Sequence, residues 1–312
     1  MKKSIFTIIG CMLALYLTAQ KTDTLFLNIY GIKLHTVLTT PTATGNVPLA
    51  IFIAGSGPTD LDGNNPMMKN NSLRYLSDAL VEKNIATLRF DKYGIAKSAD
   101  PAFDESKLTF DHYVNDVAAL VGQMRAKGYT DIYIVGHSEG SLIGLAAAQN
   151  AKVKGFVSVA GAGFPADEIL KTQLKPQLPP DMYNQTIGLI DSLKNGKQVT
   201  SAPAALYSLF RPSVQPYLIS WFKYSPVELM SKVSYPTLII QGDKDLQITM
   251  ADAQNLAKAA KNGKLVIVKE MNHVLKTVTG DAQENMAAYS NPNLPINQEL
   301  AKSIIDFILS TK

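Results

Sequence analysis

Hydrophobic and polar positions follow two periods along the chain, and the change from one to the other marks its elements. From Thr24 to Thr39 the period is two, in Leu25-Phe26-Leu27-Asn28-Ile29-Tyr30 and again in Ile32-Lys33-Leu34-His35-Thr36-Val37 about Gly31. This predicts an antiparallel hairpin. Beyond it, short β-branched runs at 49–54, 86–90, 132–135 and 155–160 alternate with helical stretches at 72–83, 113–127 and 141–150. The alternation resumes with a strand at 237–240, a helix at 251–260, a strand at 264–268 and a last helix at 298–309. Strands alternating with crossover helices predict an α/β fold with a mostly parallel central sheet flanked by helices.

Between residues 164 and 226 the pattern is interrupted. Pro165, Pro176, Pro179, Pro180, Pro203, Pro212 and Pro216 fall among Leu, Met, Tyr, Phe and the sole tryptophan, Trp221. Prolines this dense break helices into short pieces, so an inserted helical cap is expected at 164–226, within a core formed by 20–163 and 227–312. The cap aromatics Tyr207, Phe210, Trp221 and Phe222 either line a pocket for hydrophobic groups or bury the cap against the core.

The first 19 residues differ from the rest. Lys2 and Lys3 precede an apolar run from Ile5 to Leu17, and Leu17-Thr18-Ala19 then leads to Gln20. This is the layout of a secretory signal peptide cleaved after Ala19, with a periplasmic or secreted product. The apolar run, about 13 residues, is short of the roughly 20 that cross a bilayer, which argues against a transmembrane anchor, and no stable membrane insertion is expected once the signal is removed. Cys11 loosely fits a lipobox, but the apolar run continues past it.

Composition narrows the chemistry. Hydrophobic residues are 46% and charged residues 18% of the 312, an ordinary globular balance. Cys11 is the only cysteine, so the processed chain has no disulfide, thiolate nucleophile or cysteine metal site. Removing Lys2 and Lys3 leaves 28 basic against 26 acidic residues, which excludes a nucleic-acid partner. Asp60-Leu61-Asp62-Gly63-Asn64 lacks the glycine and glutamate positions of a calcium loop. No metal or cofactor is implied.

The candidate chemistry centres on Gly136-His137-Ser138-Glu139-Gly140. The bare pattern is common by chance, so its setting decides. Ile132-Tyr133-Ile134-Val135 runs into it and the small-residue stretch Leu142 to Ala148 runs out, giving the strand-turn-helix that exposes a serine above a sheet. Ser138 then lies near a helix N-terminus, where N–H groups stabilise an oxyanion. A serine hydroxyl needs a base. Among four histidines, His35 is in the hairpin, His112 opens a helix and His137 belongs to the turn, whereas His273 follows the strand Leu265 to Val268. The C-terminal ends of parallel strands are where such sheets place catalytic groups, and His273 is therefore the candidate base. A carboxylate should orient it, and Gln241-Gly242-Asp243-Lys244-Asp245 offers Asp243 and Asp245, which spacing alone does not separate.

Taken together, the chain resembles bacterial α/β-hydrolases of the secreted serine esterase and S33 serine peptidase kind. The resemblance covers nearly all of the processed chain. It rests on Ala54-Gly55-Ser56-Gly57-Pro58, Asp60 to Asn64, Arg89-Phe90-Asp91-Lys92-Tyr93-Gly94, the Ser138 turn, Tyr235 to Asp245, and Asn272-His273, with Ala54 and Tyr93 departing from the usual histidine and arginine. The family's Gly-x-x-Asp, matched by Gly242 to Asp245, implies Asp245 as the orienting acid. It also implies an oxyanion hole from the backbone N–H groups of Ser56 and Glu139. The expected activity is hydrolysis of a small-molecule ester through an acyl-enzyme. Two alternatives stay open: a serine aminopeptidase, for which Asp167, Glu168, Asp181, Asp191 and Glu228 could bind a substrate amine, and a non-catalytic binding protein on the same scaffold.

Overall fold

The computed structural model describes residues 20–43 and 45–311. The expected signal segment, 1–19, lies outside them. The hairpin is β1 (Lys21–Ile29) and β2 (Ile32–Thr40), followed by β3 (Leu49–Ile53), α1 (Ser72–Val81), β4 (Ala86–Phe90), α2 (Phe110–Ala126) and β5 (Ile132–His137). Next come α3 (Glu139–Ala147) and β6 (Gly155–Val159), then α4 (Ala166–Leu174), α5 (Pro180–Lys194), α6 (Tyr207–Phe210), α7 (Gln215–Trp221) and α8 (Pro226–Ser231). The chain continues through β7 (Thr237–Gly242), α9 (Met250–Ala259), β8 (Gly263–Val268) and α10 (Ala282–Ala288) to α11 (Gln298–Ser310). One sheet takes the order β1-β2-β4-β3-β5-β6-β7-β8. The hairpin and its junction with β4 are antiparallel and every other pairing is parallel, as the two periods predicted.

Both faces of the sheet are covered, which is why its central strands read as unbroken apolar runs. In β3, Leu49, Ile51 and Ile53 point to the side packed by α2, α3 and α9, while Ala50 and Phe52 point to the side packed by α1 and α11. Ile132 and Ile134 against Tyr133 and Val135 repeat the division in β5.

The interrupted region is a set of short helices with its own apolar cluster of Ala166, Ile190, Leu193, Leu206, Phe210, Leu218 and Phe222. Pro180, Pro216 and Pro226 stand in first turns, where the missing N–H costs nothing. α8 begins at residue 226, and its Met230 joins the core cluster with Ala253 and Leu256 of α9.

Two helices start earlier than their periodicity indicates. α2 begins at Phe110, with Thr109 and His112 forming a capping box, and α3 begins at Glu139, directly after Ser138. Helix α10 has no counterpart in the sequence reading. Among the described residues no helix is long and apolar enough to cross a membrane.

Candidate active site

The turn after β5 is made possible by two close approaches. A Cβ on Gly136 would lie 2.3 Å from the Gly140 carbonyl oxygen, and one on Gly140 would lie 2.3 Å from that of Ile53. Only glycine fits either place. Between them Ser138 holds φ 55° and ψ −124°, a conformation that L-residues rarely adopt, and α3 starts at the next residue. The turn lifts the serine off the sheet and aims the first turn of α3 at the same space.

Ser138 Oγ stands 3.2 Å from His273 Nε2, and His273 Nδ1 stands 2.8 Å from Asp245 Oδ2. Asp245 is fixed in turn by the backbone N–H groups of Gln247 and Ile248, which donate to Oδ1 at 2.8 and 3.0 Å, and by Gln241 Nε2 at 3.2 Å from Oδ2. Burial alone would raise the Asp245 carboxyl. The facing His273, its hydrogen bond and the two amides outweigh burial and hold it below the usual carboxylate value. Asp243, the other aspartate of this turn, is exposed and accepts the Glu270 N–H at 2.6 Å. The structure therefore brings Ser138, His273 and Asp245 together and leaves Asp243 out.

The remaining histidines are elsewhere. His137 Nε2 donates to the His273 backbone carbonyl at 2.8 Å, tying the serine turn to the base loop. Burial, with the neighbouring His273 adding to it, pushes His137 down to about 3, so it serves as a neutral donor. His112 caps α2, and His35 pairs with Asp91 at 2.7 Å.

Helix α10 supplies a brace that sequence reasoning missed. Asn272, just before His273, donates to Asn285 Oδ1 at 3.1 Å, and Asn285 donates to the Lys244 carbonyl at 2.7 Å. One asparagine thus links the loop of the base to the loop of the acid. The adjacent Asn272-His273 pair was visible in sequence, but nothing there pointed to Asn285.

Ser138 opens onto a cavity of about 690 Å³ between core and cap. Ser56 and Glu139 line it, and a Cβ on Gly55 would come within 3.2 Å of Ser138 Cβ, so the loop after β3 packs directly on the serine turn. The walls are mainly apolar, with Phe103, Leu108, Ile169, Leu170, Val214 and Trp221 among them. The four cap aromatics divide: Trp221 lines the cavity, Phe210 and Phe222 are buried inside the cap, and Tyr207 is exposed. None of the five acidic residues considered for amine binding reaches the cavity wall. Asp167 and Asp191 are bound to Lys194 and Lys171. The carboxylates that do line it are Glu105, held by Arg211 and Ser213, and Glu139, held by Lys92 and Tyr217.

A family model described as serine aminopeptidase, S33, matches residues 69–215. Esterase EstD of Thermotoga maritima is 24% identical over 267 residues, covering 81% of this chain and 60% of that protein, so the chain spans less than two thirds of that relative's length. Among solved structures, Est1E from Butyrivibrio proteoclasticus with ferulic acid bound superposes with a TM-score of 0.63 at 23% identity, covering 92% of this chain and 98% of that one. An esterase from Exiguobacterium antarcticum gives 0.57 at 14% identity, covering 92% and 100%.

Proposed function

We propose that this chain, which has the α/β-hydrolase fold, is a serine hydrolase cleaving carboxylic esters through an acyl-enzyme. The observation that carries this reading is the unbroken hydrogen-bonded series Asp245–His273–Ser138 ending at the wall of a mainly apolar cavity. His273 Nε2 takes the proton as Ser138 Oγ attacks the ester carbonyl, and Asp245 stabilises the imidazolium and fixes its tautomer. The N–H groups of Ser56 and Glu139 receive the negative oxygen. His273 returns the proton to the departing alcohol, and water activated by the same imidazole then releases the acid.

The cavity walls suit an apolar acyl or alcohol group, with Trp221 as an aromatic surface for it. An aminopeptidase is the second reading, favoured by the description of the matching family model. It needs a carboxylate free to bind the substrate's ammonium. Both carboxylates on the cavity wall already hold cations, and this supports the ester reading. Residues 1–19 are proposed to direct export, a reading checked by the N-terminal residue of protein recovered from the producing cell.

The test compares p-nitrophenyl esters of increasing acyl length with amino-acid p-nitroanilides. Ester turnover is expected to exceed amide turnover. Ser138→Ala is expected to lower it by on the order of 10⁴-fold or more in folded protein and to abolish fluorophosphonate labelling. Full activity in that variant, or preference for the anilides, overturns the ester assignment.

A further inference from the structure

Lys92 is almost wholly buried on the cavity wall, yet it lies outside the Ser138–His273–Asp245 series. Its ammonium donates to the Gly55 carbonyl at 2.6 Å and to Glu139 Oε2 at 3.1 Å, and it lies 5.2 Å from the centre of the Tyr113 ring. Glu139 Oε1 accepts from Tyr217 of α7 at 2.6 Å. A buried ion pair seldom repays the desolvation of its two charges, so its reason is to be sought in what it holds in place.

The Gly55 carbonyl and the Ser56 N–H are opposite edges of one planar peptide. A cation gripping the oxygen fixes the direction of the N–H and, by polarising the amide, makes it a stronger donor. The other partner of Lys92 is the side chain of the residue whose own N–H is the second oxyanion donor. One ammonium therefore touches both halves of the hole. Tyr217 extends the connection to the cap.

We infer that Lys92 is a positioning residue for the oxyanion hole, clamping the Gly55–Ser56 peptide and Glu139 so that their N–H groups converge, with Tyr217 transmitting the position of the cap to that clamp. The inference rests on the ester reading above. A residue that only maintained the fold would affect stability, or KM and kcat together, whereas a clamp on the oxyanion donors acts on the tetrahedral state alone.

The experiment measures kcat, KM and inhibition by an alkyl boronic acid, whose adduct with Ser138 places a negative oxygen in the hole. In Lys92→Met, kcat/KM is expected to fall by about 10- to 100-fold, KM to stay within about threefold, and the boronate inhibition constant to rise by the same factor as kcat/KM falls. Because this change strands the Glu139 carboxylate, Lys92→Met with Glu139→Gln is measured beside it and is expected to fold and remain equally impaired. Tyr217→Phe is expected to show about a threefold to tenfold effect of the same kind. The inference is overturned by wild-type rates in folded Lys92→Met, by recovery in the double variant, or by rate loss with unchanged boronate affinity. An unchanged Tyr217→Phe removes the link to the cap. Wild-type protein inert to ester and boronate alike sinks the ester reading itself, a result distinct from all of these.

Discussion

The molecule contains two histidine–aspartate pairs of nearly the same geometry. His273 and Asp245 are 2.8 Å apart and His35 and Asp91 2.7 Å apart, and all four side chains are 6% exposed or less. What separates them is their surroundings. His273 leaves the C-terminal end of a parallel strand and meets Ser138, whereas His35 sits within β2 of the hairpin, and among the described residues its Nε2 has no partner. Asp91 also accepts the N–H groups of Leu61 and Lys97, and the His35 N–H donates to Ser98, whose hydroxyl returns to the Asp91 carbonyl. That pair fastens loops to a strand. A buried imidazole with an aspartate can thus serve the fold alone, and it is the place of His273 on the sheet, beside Ser138, that supports the proposed chemical role.

The contrast is testable from both sides. His273→Ala should lower ester turnover by on the order of 10⁴-fold or more, while His35→Phe should leave kcat/KM within about threefold and lower stability by about 1–3 kcal/mol in thermal melts. Comparable losses in activity would erase the distinction. Asp245→Asn is expected to reduce kcat by about 10³- to 10⁴-fold by disturbing the imidazole tautomer, and Asp91→Asn by less than about tenfold, its main effect being a lower melting temperature.

A smaller effect concerns pH. Asp245 has a folded pKa below its ordinary value, so it binds fewer protons folded than unfolded across the acid range. Its contribution to stability is present above the unfolded carboxylate pKa and lost as pH falls through the folded one. The gap in melting temperature between wild type and Asp245→Asn should therefore be widest near neutrality and close below about pH 4. A gap that widens on acidification contradicts this.

The strands and most helices were legible because a sheet covered on both faces demands apolar runs, and the helices between them keep one apolar stripe. Helix α10 was not, since seven residues with Met286 exposed carry too little periodicity. Ser138 and His273 could be picked out because each follows a recognisable strand. Choosing Asp245 over Asp243 required a family resemblance, because both share one turn and what separates them is the amides of Gln247 and Ile248, which no spacing reveals. Lys92 stood within a quoted motif without a role. Its partners are 37 and 47 residues away, and Glu139 is a further 78 from Tyr217, so only the folded chain brings them together.

The backbone of Ser138 carries one more consequence. A non-glycine residue at φ 55° and ψ −124° costs about 1–3 kcal/mol, so at this position the usual ranking of alanine over glycine should invert. Ser138→Gly should melt about 1–4 °C above Ser138→Ala, with neither expected to turn over ester. The proposed nucleophile would then be a point where durability has been given up for activity, and a selection for thermal tolerance alone would tend to remove it.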